Sequence, residues 1–266
     1  MSITTLYQIS NYYDAYRKEE VTLNRYNIKA LRFVPQHVLI KCKDSISPCI
    51  INSTSMERAS VLLEDNNDIV NKIEETMLVS LKYCFMDEDN NPIVFFVNAQ
   101  IESIDSFNSS KNFKILKLKF TKRPSDDLIL RLGVFIEINK NFEKYTYQSI
   151  HLSITAMREL NIEQNESYAS IQSVPRKCII KSISFGGASI VCVGLPKYLV
   201  GDKIKLYFSF SDTYEDISIS GVIRNAAFIE GRQDICKIDV TYDLDNIPIA
   251  YKSHINRYLV SNKIAK

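Results

Sequence analysis

The sequence predicts a mainly β protein with flanking helices, built as two tandem small β-barrels that are each closed by a C-terminal helix. Two observations support this prediction: short strand-like runs fill both halves of the chain, and a twelve-residue stretch occurs twice. CIINSTSMERAS at 49–60 returns as CIIKSISFGGAS at 178–189, with seven identical positions and no gap. Because chance rarely gives so dense a match, we interpret the two stretches as the same part of a repeated fold.

The length and composition suit two domains without a dominant charge. The 266 residues are 45% apolar, which is enough for two cores of about 100–130 residues each. We predict an N-terminal barrel domain at 1–138, a linker with a short helix at 139–170, and a C-terminal barrel domain at 171–266. Because 33 Lys and Arg nearly balance 31 Asp and Glu, a phosphate-bearing ligand needs a local basic patch.

The elements of the first half follow in a simple order. Residues 6–16 carry apolar side chains at helical spacing and predict a short helix. Between about 25 and 120, runs rich in β-branched and aromatic residues predict six strands: HVLIKC, PCIINS, ASVLLE, LVSLKYCFM, IVFFVNAQIESI and FKILKLKF. A helix then begins after Pro124, because Asp126 and Asp127 favour its N-terminus and an apolar stripe follows.

The second half repeats this order. A short helix at 153–160 precedes six strand-like runs: ASIQSV, KCIIKSI, ASIVCV, KIKLYFSF, DISISGVIRNAAFI and CKIDVTYDL. A last helix begins near Pro248, whose fixed φ suits a first helical turn, and carries an apolar stripe. Each half is therefore a set of strands followed by a helix.

Several classes of function are disfavoured by what the sequence contains. The six cysteines form no CxxC pair and lie mostly among aliphatic residues, so they are predicted to be reduced core thiols rather than metal ligands. The three histidines are isolated and no phosphate-binding glycine pattern follows a strand, so no enzyme or resident cofactor is expected. No basic run interleaves with aromatics, which disfavours a nucleic-acid polymer as partner. No secretory leader or membrane-length apolar run is evident, so a soluble cytoplasmic protein is expected.

The repeated stretches differ most at one turn. Where the first has Met56, Glu57 and Arg58, the second has Phe185 and the pair Gly186–Gly187. Glycine permits a positive φ and a close approach of backbone or ligand. Two interpretations stay open here, a ligand-accessible turn or simply a tighter turn. The first copy lacks the pair, so we expect that folding alone does not require it.

The second half carries a family resemblance. SISFGGASI at 182–190, followed by KIKLYFSF, SISGVIRN, KIDVTYDL and a helix, resembles the PilZ domain, a bacterial receptor module for cyclic di-GMP. The resemblance covers roughly 140–262. The preceding half, with KRPSDDLILRLG at 122–133, resembles the PilZ-like N-terminal domain of two-domain, flagellar-brake-type proteins. It implies a signalling protein that relays cyclic di-GMP to a protein partner, in motility or related control.

The resemblance also implies ligand-binding residues in the motif strand and its turn. The family motif of Asp or Asn, then Ser, then Gly falls on Ser182, Ser184 and Gly187, with Gly186 beside it. In the family the first position accepts hydrogen bonds from guanine, and a serine hydroxyl offers one oxygen rather than a carboxylate or amide fork. Arg176, at the start of the motif strand, is a further candidate cation.

The second family motif, two arginines four positions apart before the barrel, has no arginine match. Residues 132–157 contain none. The preferred register places the two positions on Tyr145 and Ser149, and an alternative places them on Lys140 and Lys144, which keep the charge but lose the planar fork of arginine. The resemblance therefore implies weakened or altered recognition of cyclic di-GMP. The alternative is a ligand-independent PilZ-like adaptor that acts by protein contact alone.

Overall fold

The computed structural model describes residues 3–65, 67–87, 89–107, 112–163, 167–211, 216–262 and 264. The chain divides into two compact units, Met1–Glu137 and Ile138–Lys266. The residues predicted as a linker, 139–170, contribute helix and strand to the second unit. The domain and linker bounds given from the sequence, 1–138, 139–170 and 171–266, stay a prediction.

The first unit is a closed ring of six antiparallel strands with helices around it. Its ring order is β3–β2–β5–β6–β7–β4, closed by pairing of β4 with β3, while β1 extends it beside β3. The elements are α1 (Ile3–Tyr16), β1 (Val21–Thr22), α2 (Arg25–Leu31), β2 (Leu39–Cys42), β3 (Ser45–Thr54), β4 (Arg58–Glu64), α3 (Asn67–Thr76), β5 (Leu78–Met86), β6 (Pro92–Ser106), β7 (Phe113–Phe120) and α4 (Asp126–Tyr145).

The second unit is a ring of the same topology, formed by later strands. Its order is β10–β9–β12–β13–β14–β11, closed by pairing of β11 with β10, while β8 lies beside β10. The elements are β8 (Ile150–His151), α5 (Ile154–Glu159), β9 (Ser167–Ile171), β10 (Val174–Ile183), β11 (Gly187–Val193), β12 (Lys203–Phe208), β13 (Ile217–Phe228), β14 (Ile235–Tyr242) and α6 (Ile249–Ser261). The fold class predicted from the sequence, two tandem barrels, is confirmed.

The repeat reaches well beyond the twelve quoted residues. The bounds of β1, β3 and β4 recur at β8, β10 and β11 with the same shift of 129 positions. The β-bulge that follows Ile51 recurs after Ile180. The side chains of Asn24 and Ser153 cap α2 and α5 at the same relative position. Both units therefore use one backbone plan, so a side chain in one has a definite counterpart in the other.

Alternating burial along the strands fills both barrels. Tyr83 and Phe85 are fully buried in the first unit, and Phe208, Phe210 and Tyr251 occupy the core of the second. All six cysteines are buried and free, as predicted. Burial raises the pKa of the thiols of Cys49 and Cys178 to about 12, so these thiols stay protonated. No helix in the described part of the chain has the length and apolarity to cross a membrane.

Two helices in the first unit were absent from the sequence prediction, which assigned strands from about 25 onward. Helix α2 has seven residues, too few to give a clear period, and it begins where the Asn24 side chain accepts hydrogen bonds from two backbone N–H groups. Helix α3 lies in a segment of mixed polar and apolar residues, and buries Ile69, Val70 and Ile73. Helix α2 is thus determined by its cap more than by propensity, and α3 is determined by burial of its apolar face.

Gly133 lies inside α4, where glycine costs about 1 kcal/mol relative to alanine. The structure explains it: a Cβ atom at this position would lie 2.5 Å from the ring of Tyr12 on α1. The Tyr12 hydroxyl donates to the carboxylate of Glu137 (3.1 Å) and accepts from Gln8 (2.8 Å), so two hydrogen bonds hold the hydroxyl end of the ring. Gly133 therefore permits α1 to pack closely on α4.

We expect Gly133→Ala to destabilise the first unit by about 1–2 kcal/mol, although alanine is the better helix former, because overpacking outweighs the gain in propensity. Urea unfolding followed by circular dichroism measures this change. The double variant Gly133→Ala with Tyr12→Ala removes the clashing ring and serves as the control. If Gly133→Ala costs no more stability in the protein with Tyr12 than in the protein with Tyr12→Ala, close packing does not explain Gly133.

Candidate functional site

The turn between β10 and β11 is the part of the repeat that differs most between the two units. In the second unit the Ser184 backbone N–H donates to the Gly187 carbonyl at 2.8 Å, and the Ser184 hydroxyl donates to the same oxygen at 3.2 Å. The Tyr251 hydroxyl donates to the Ser184 carbonyl at 2.8 Å. Burial raises the pKa of Tyr251 well above its usual value, so this hydroxyl remains a donor. The turn is thus held from within and from α6.

The two glycines of the turn are required by close contacts. A Cβ atom on Gly187 would lie 2.4 Å from the backbone oxygen of Val240, and one on Gly186 would lie 2.7 Å from Thr146 Cγ2. Positive φ is not the reason, because the described glycines with positive φ are elsewhere. The expectation that folding does not require the pair is therefore wrong for Gly187, where the backbone of the paired strand leaves no room for a side chain. At Gly186 the nearest atoms belong to the side chains of Thr146 and Tyr147.

The turn is also bonded to the end of α4. The Gly186 N–H donates to the Thr146 carbonyl at 2.7 Å, and the Thr146 hydroxyl donates back to the carbonyl of Phe142 at 2.6 Å. The ring of Phe142 packs edge-on against the ring of Phe185, with centroids 5.6 Å apart. Lys252 Nζ lies over the Phe142 ring, 3.7 Å from its centroid. The segment after α4 is consequently fixed beside the turn.

A small cavity lies at this junction. Its volume is about 200 Å³, and the residues lining it include Tyr147, Ser149, Ser182, Ser184, Gly186, Gly187, Ser189, Asp239 and Thr241. Among the described residues that line it, none is Lys or Arg, and Asp239 carries the only carboxylate. The cavity is therefore rich in hydroxyl groups and has no cation of its own.

Strand pairing explains how distant residues meet here. His151, Ser182, Ser189, Asp239 and Asn225 are successive cross-strand partners on β8, β10, β11, β14 and β13. These five polar residues lie side by side across five strands, and we call them the polar row. Within it, the Asn225 amide donates to the Asp239 carboxylate at 3.3 Å. The hydroxyl oxygen of Ser189 is buried and has no hydrogen-bond partner.

The motif residues predicted from the sequence lie together in this cavity. Ser182, Ser184, Gly186 and Gly187 all line it, and so does Ser149 from the segment before β8. Whether they bind a ligand stays a prediction. Ser189 and Asp239 also line the cavity and were not among the predicted residues, because their position follows from strand register, which a single sequence does not give.

The other predicted residues lie apart from the cavity. Lys140 and Lys144 are in α4, where Lys144 Nζ lies 4.9 Å from the centroid of the Tyr145 ring. Tyr145 itself packs against the core of the second unit. Arg176 is six residues from Ser182 along β10, about 20 Å at the usual rise of a strand. Its Nη1 donates to a backbone carbonyl at 3.1 Å, and its Nε is buried without a partner.

Two larger grooves lie on the outer faces of the barrels. In the first unit, Ala99 is among the residues that line a groove of about 670 Å³. In the second unit, Gly221 is among the residues that line a groove of about 930 Å³. Ala99 pairs with β5 and Gly221 with β12, which are corresponding strands of the two rings. Because both units have this groove at the same place, it follows from the shared backbone plan. The small cavity, in contrast, lies at the turn where the sequences of the two units differ most.

Comparison with known proteins agrees with the geometry of two such barrels. The family model described as the PilZN3 domain matches residues 7–139, which is half of the chain. The chain belongs to the PilZN3 domain family. The PilZN3 domain thus coincides with the first barrel, and the two-domain PilZ resemblance found in the sequence is confirmed.

The similarity of this PilZN3 domain protein to its relatives extends over both units. A protein of Treponema denticola named "Cyclic di-GMP binding protein" is 30% identical over 261 residues, which cover 97% of this chain and 83% of the relative. Among solved structures, PlzA of Borreliella burgdorferi in complex with c-di-GMP is 18% identical, with a TM-score of 0.42 and coverage of 96% of this chain and 99% of that one. The Bacillus subtilis inhibitor of motility MotI/DgrA is 12% identical, with a TM-score of 0.31 and coverage of 85% and 95%.

The PilZN3 domain has its own version of the polar row, with different chemistry. Ser53, Ser60 and Lys117 are cross-strand partners that correspond to Ser182, Ser189 and Asp239. The Ser53 hydroxyl donates to the carboxylate of Glu20, which precedes β1 as Ser149 precedes β8. Arg58, which corresponds to Gly187, pairs with Glu102 at 3.2 Å. In the PilZN3 domain the side chains of Ser53 and Arg58 are thus paired internally.

Proposed function

We propose that this protein is a PilZ-family signalling protein, a cyclic di-GMP receptor-type effector whose second barrel recognises its ligand in a weakened or altered way. The observation that carries the proposal is the hydroxyl-lined cavity where the motif turn meets the segment after α4. It is present in the second barrel, where the glycine pair replaces Glu57 and Arg58 of the first. The relative from Treponema denticola, which is 30% identical and is named "Cyclic di-GMP binding protein", supports the same ligand.

The weakening follows from the missing cations. A charge-assisted hydrogen bond contributes about 1.5–3 kcal/mol, and arginine can grip phosphate or a guanine edge with two at once. Among the described residues that line the cavity, no Lys or Arg supplies such a contact. Its volume of about 200 Å³ is also below the roughly 300–1,000 Å³ usual for ligand pockets. A ligand held here is therefore only partly enclosed.

We infer that the protein acts by protein contact and is not an enzyme. A ligand at the turn touches the segment that follows α4, because Gly186 bonds to Thr146 and Tyr147 lines the cavity. Ordering of this segment on binding is a means of presenting a surface to a protein partner. A role in motility or related control, in the cytoplasm of a bacterium, rests on the family resemblance and belongs to this proposal.

A ligand-independent adaptor is the second candidate. The lack of cations in the cavity favours it, since cyclic di-GMP carries two phosphate charges that need compensation. In that case the second barrel retains its fold as a surface for protein contact. The two candidates differ in whether the cyclic dinucleotide binds at all.

Isothermal titration calorimetry of the whole chain with cyclic di-GMP separates the two candidates. We expect saturable binding in the micromolar range at low salt, and weaker binding at moderate salt because the ligand is an anion. GMP is the control ligand, and it should bind more weakly because it offers half of the contacts. No heat of binding at high protein concentration would contradict the receptor proposal and favour the adaptor.

A further inference from the structure

The polar row contains one group whose role in the fold is small. Asp239 lies near the middle of β14, on the face that lines the cavity. In the described part of the chain, the carboxylate of Asp239 accepts one long hydrogen bond, from the Asn225 amide at 3.3 Å, and it forms no ion pair. One carboxylate oxygen and several lone pairs therefore remain available toward the cavity.

The neighbour of Asp239 in the row has an unused hydrogen-bonding group. The Ser189 hydroxyl oxygen is buried without a partner, and a buried hydroxyl without a partner costs about 1–3 kcal/mol. Ser189 is the direct cross-strand partner of Asp239 and also of Ser182. The three side chains span two strand spacings, about 10 Å, which matches the length of a purine base with its substituents.

We propose that Asp239, together with Ser189, recognises the hydrogen-bond donor edge of a guanine base in the second barrel, an inference that rests on the proposed function. The N1–H and 2-amino groups of guanine are adjacent parallel donors, and a carboxylate accepts from both at once. Adenine presents an unprotonated nitrogen at N1 and no 2-amino group, so it cannot satisfy the carboxylate in this way. Asp239 thus makes the site selective for guanine.

The charge of the site fixes how the ligand lies. A carboxylate repels phosphate, and the described lining residues supply no cation to screen it. The base therefore faces β14 and the Ser189–Asp239 pair. The phosphates lie away from it, toward the open side of the cavity near Tyr147, a side chain that is 68% exposed.

The first barrel provides the matched comparison. Lys117 stands where the second barrel has Asp239, and Ser60 stands where it has Ser189. The same row in the PilZN3 domain thus offers a cation in place of the carboxylate, and the ammonium group of Lys117 cannot accept from the guanine edge. Lys117→Asn and Ser60→Ala are therefore control variants at equivalent positions.

The test is titration of the whole chain with cyclic di-GMP and with cyclic di-AMP. We expect the unaltered protein to prefer cyclic di-GMP by at least about tenfold, and Asp239→Asn to lose about tenfold or more in affinity for it. Ser189→Ala should weaken binding about threefold or more without lowering the melting temperature, because its hydroxyl has no partner in the free protein. Lys117→Asn and Ser60→Ala should change neither affinity.

Each other outcome has a definite meaning. If the unaltered protein binds cyclic di-GMP and Asp239→Asn binds it equally well, or if cyclic di-AMP binds as tightly as cyclic di-GMP, guanine recognition by Asp239 is overturned while the receptor proposal stands. If the unaltered protein binds no cyclic di-GMP, the receptor proposal is overturned and this inference with it. Should Asp239→Asn fail to fold, Ser189→Ala decides, and unchanged affinity in that variant overturns the inference.

Discussion

Replacing Gly187 by alanine is expected to lower the free energy of unfolding of the second unit by about 3 kcal/mol. The added Cβ would lie 2.4 Å from the backbone oxygen of Val240, and backbone on a paired strand cannot rotate away as a side chain can. The strands β11 and β14 must separate to admit it. Differential scanning calorimetry of the whole chain should show this as a lower melting temperature for one of its transitions.

Arg58→Ala in the first unit is the matched control, because Arg58 occupies the same position of the repeat. Its side chain is largely exposed and its ion pair with Glu102 contributes little, so a change of less than about 1 kcal/mol is expected. A Gly187→Ala protein that melts like the unaltered one would show that the two strands adjust freely. The glycine would then be explained by ligand approach alone.

The second large effect is a gain in binding. Tyr147→Arg combined with Ser149→Arg is expected to strengthen binding of cyclic di-GMP by about a hundredfold, because two charge-assisted contacts are added at the cavity. Both side chains line the cavity, and Tyr147 is largely exposed, so the fold should tolerate the change. Calorimetry at two salt concentrations measures the gain, which should shrink as salt screens the added charges.

Tyr145→Arg combined with Ser149→Arg is the control for position. It follows the register preferred from the sequence, but Tyr145 packs against the core and does not line the cavity. We expect this variant to lose stability and to gain less affinity than the Tyr147 pair. A larger gain from the Tyr145 pair would show that the segment after α4 rearranges when ligand binds.

The fold could be predicted from the sequence because the repeat and the strand pattern agree. The matching residues at 49–60 and 178–189 give equivalent strands and an equivalent turn, and alternating apolar residues identify most of the strands of each ring. Helix α2 escaped prediction because seven residues and a cap at Asn24 leave little periodic signal. Helix α3 does carry apolar residues at helical spacing, Ile69, Val70 and Ile73, and the prediction of strands over this part of the chain overlooked them.

The candidate site was only partly predictable, for a different reason. Ser182, Ser184 and the glycine pair are adjacent in the sequence and form a motif. Asp239 joins them only through the pairing of β11 with β14, and register is a property of the assembled sheet. The need for glycine at 187 likewise depends on a carbonyl more than fifty residues away in the chain.

The glycine contact at position 187 also bears on how a duplicated chain assembles. Tandem copies with the same topology can exchange equivalent strands during folding, which traps misassembled species. If β4 took the place of β11 beside β14, Arg58 would bring a side chain to the point where only a hydrogen atom fits against the Val240 carbonyl. The divergence of this single turn therefore disfavours β4 in the place of β11, and it favours pairing of β14 with the strand of its own barrel.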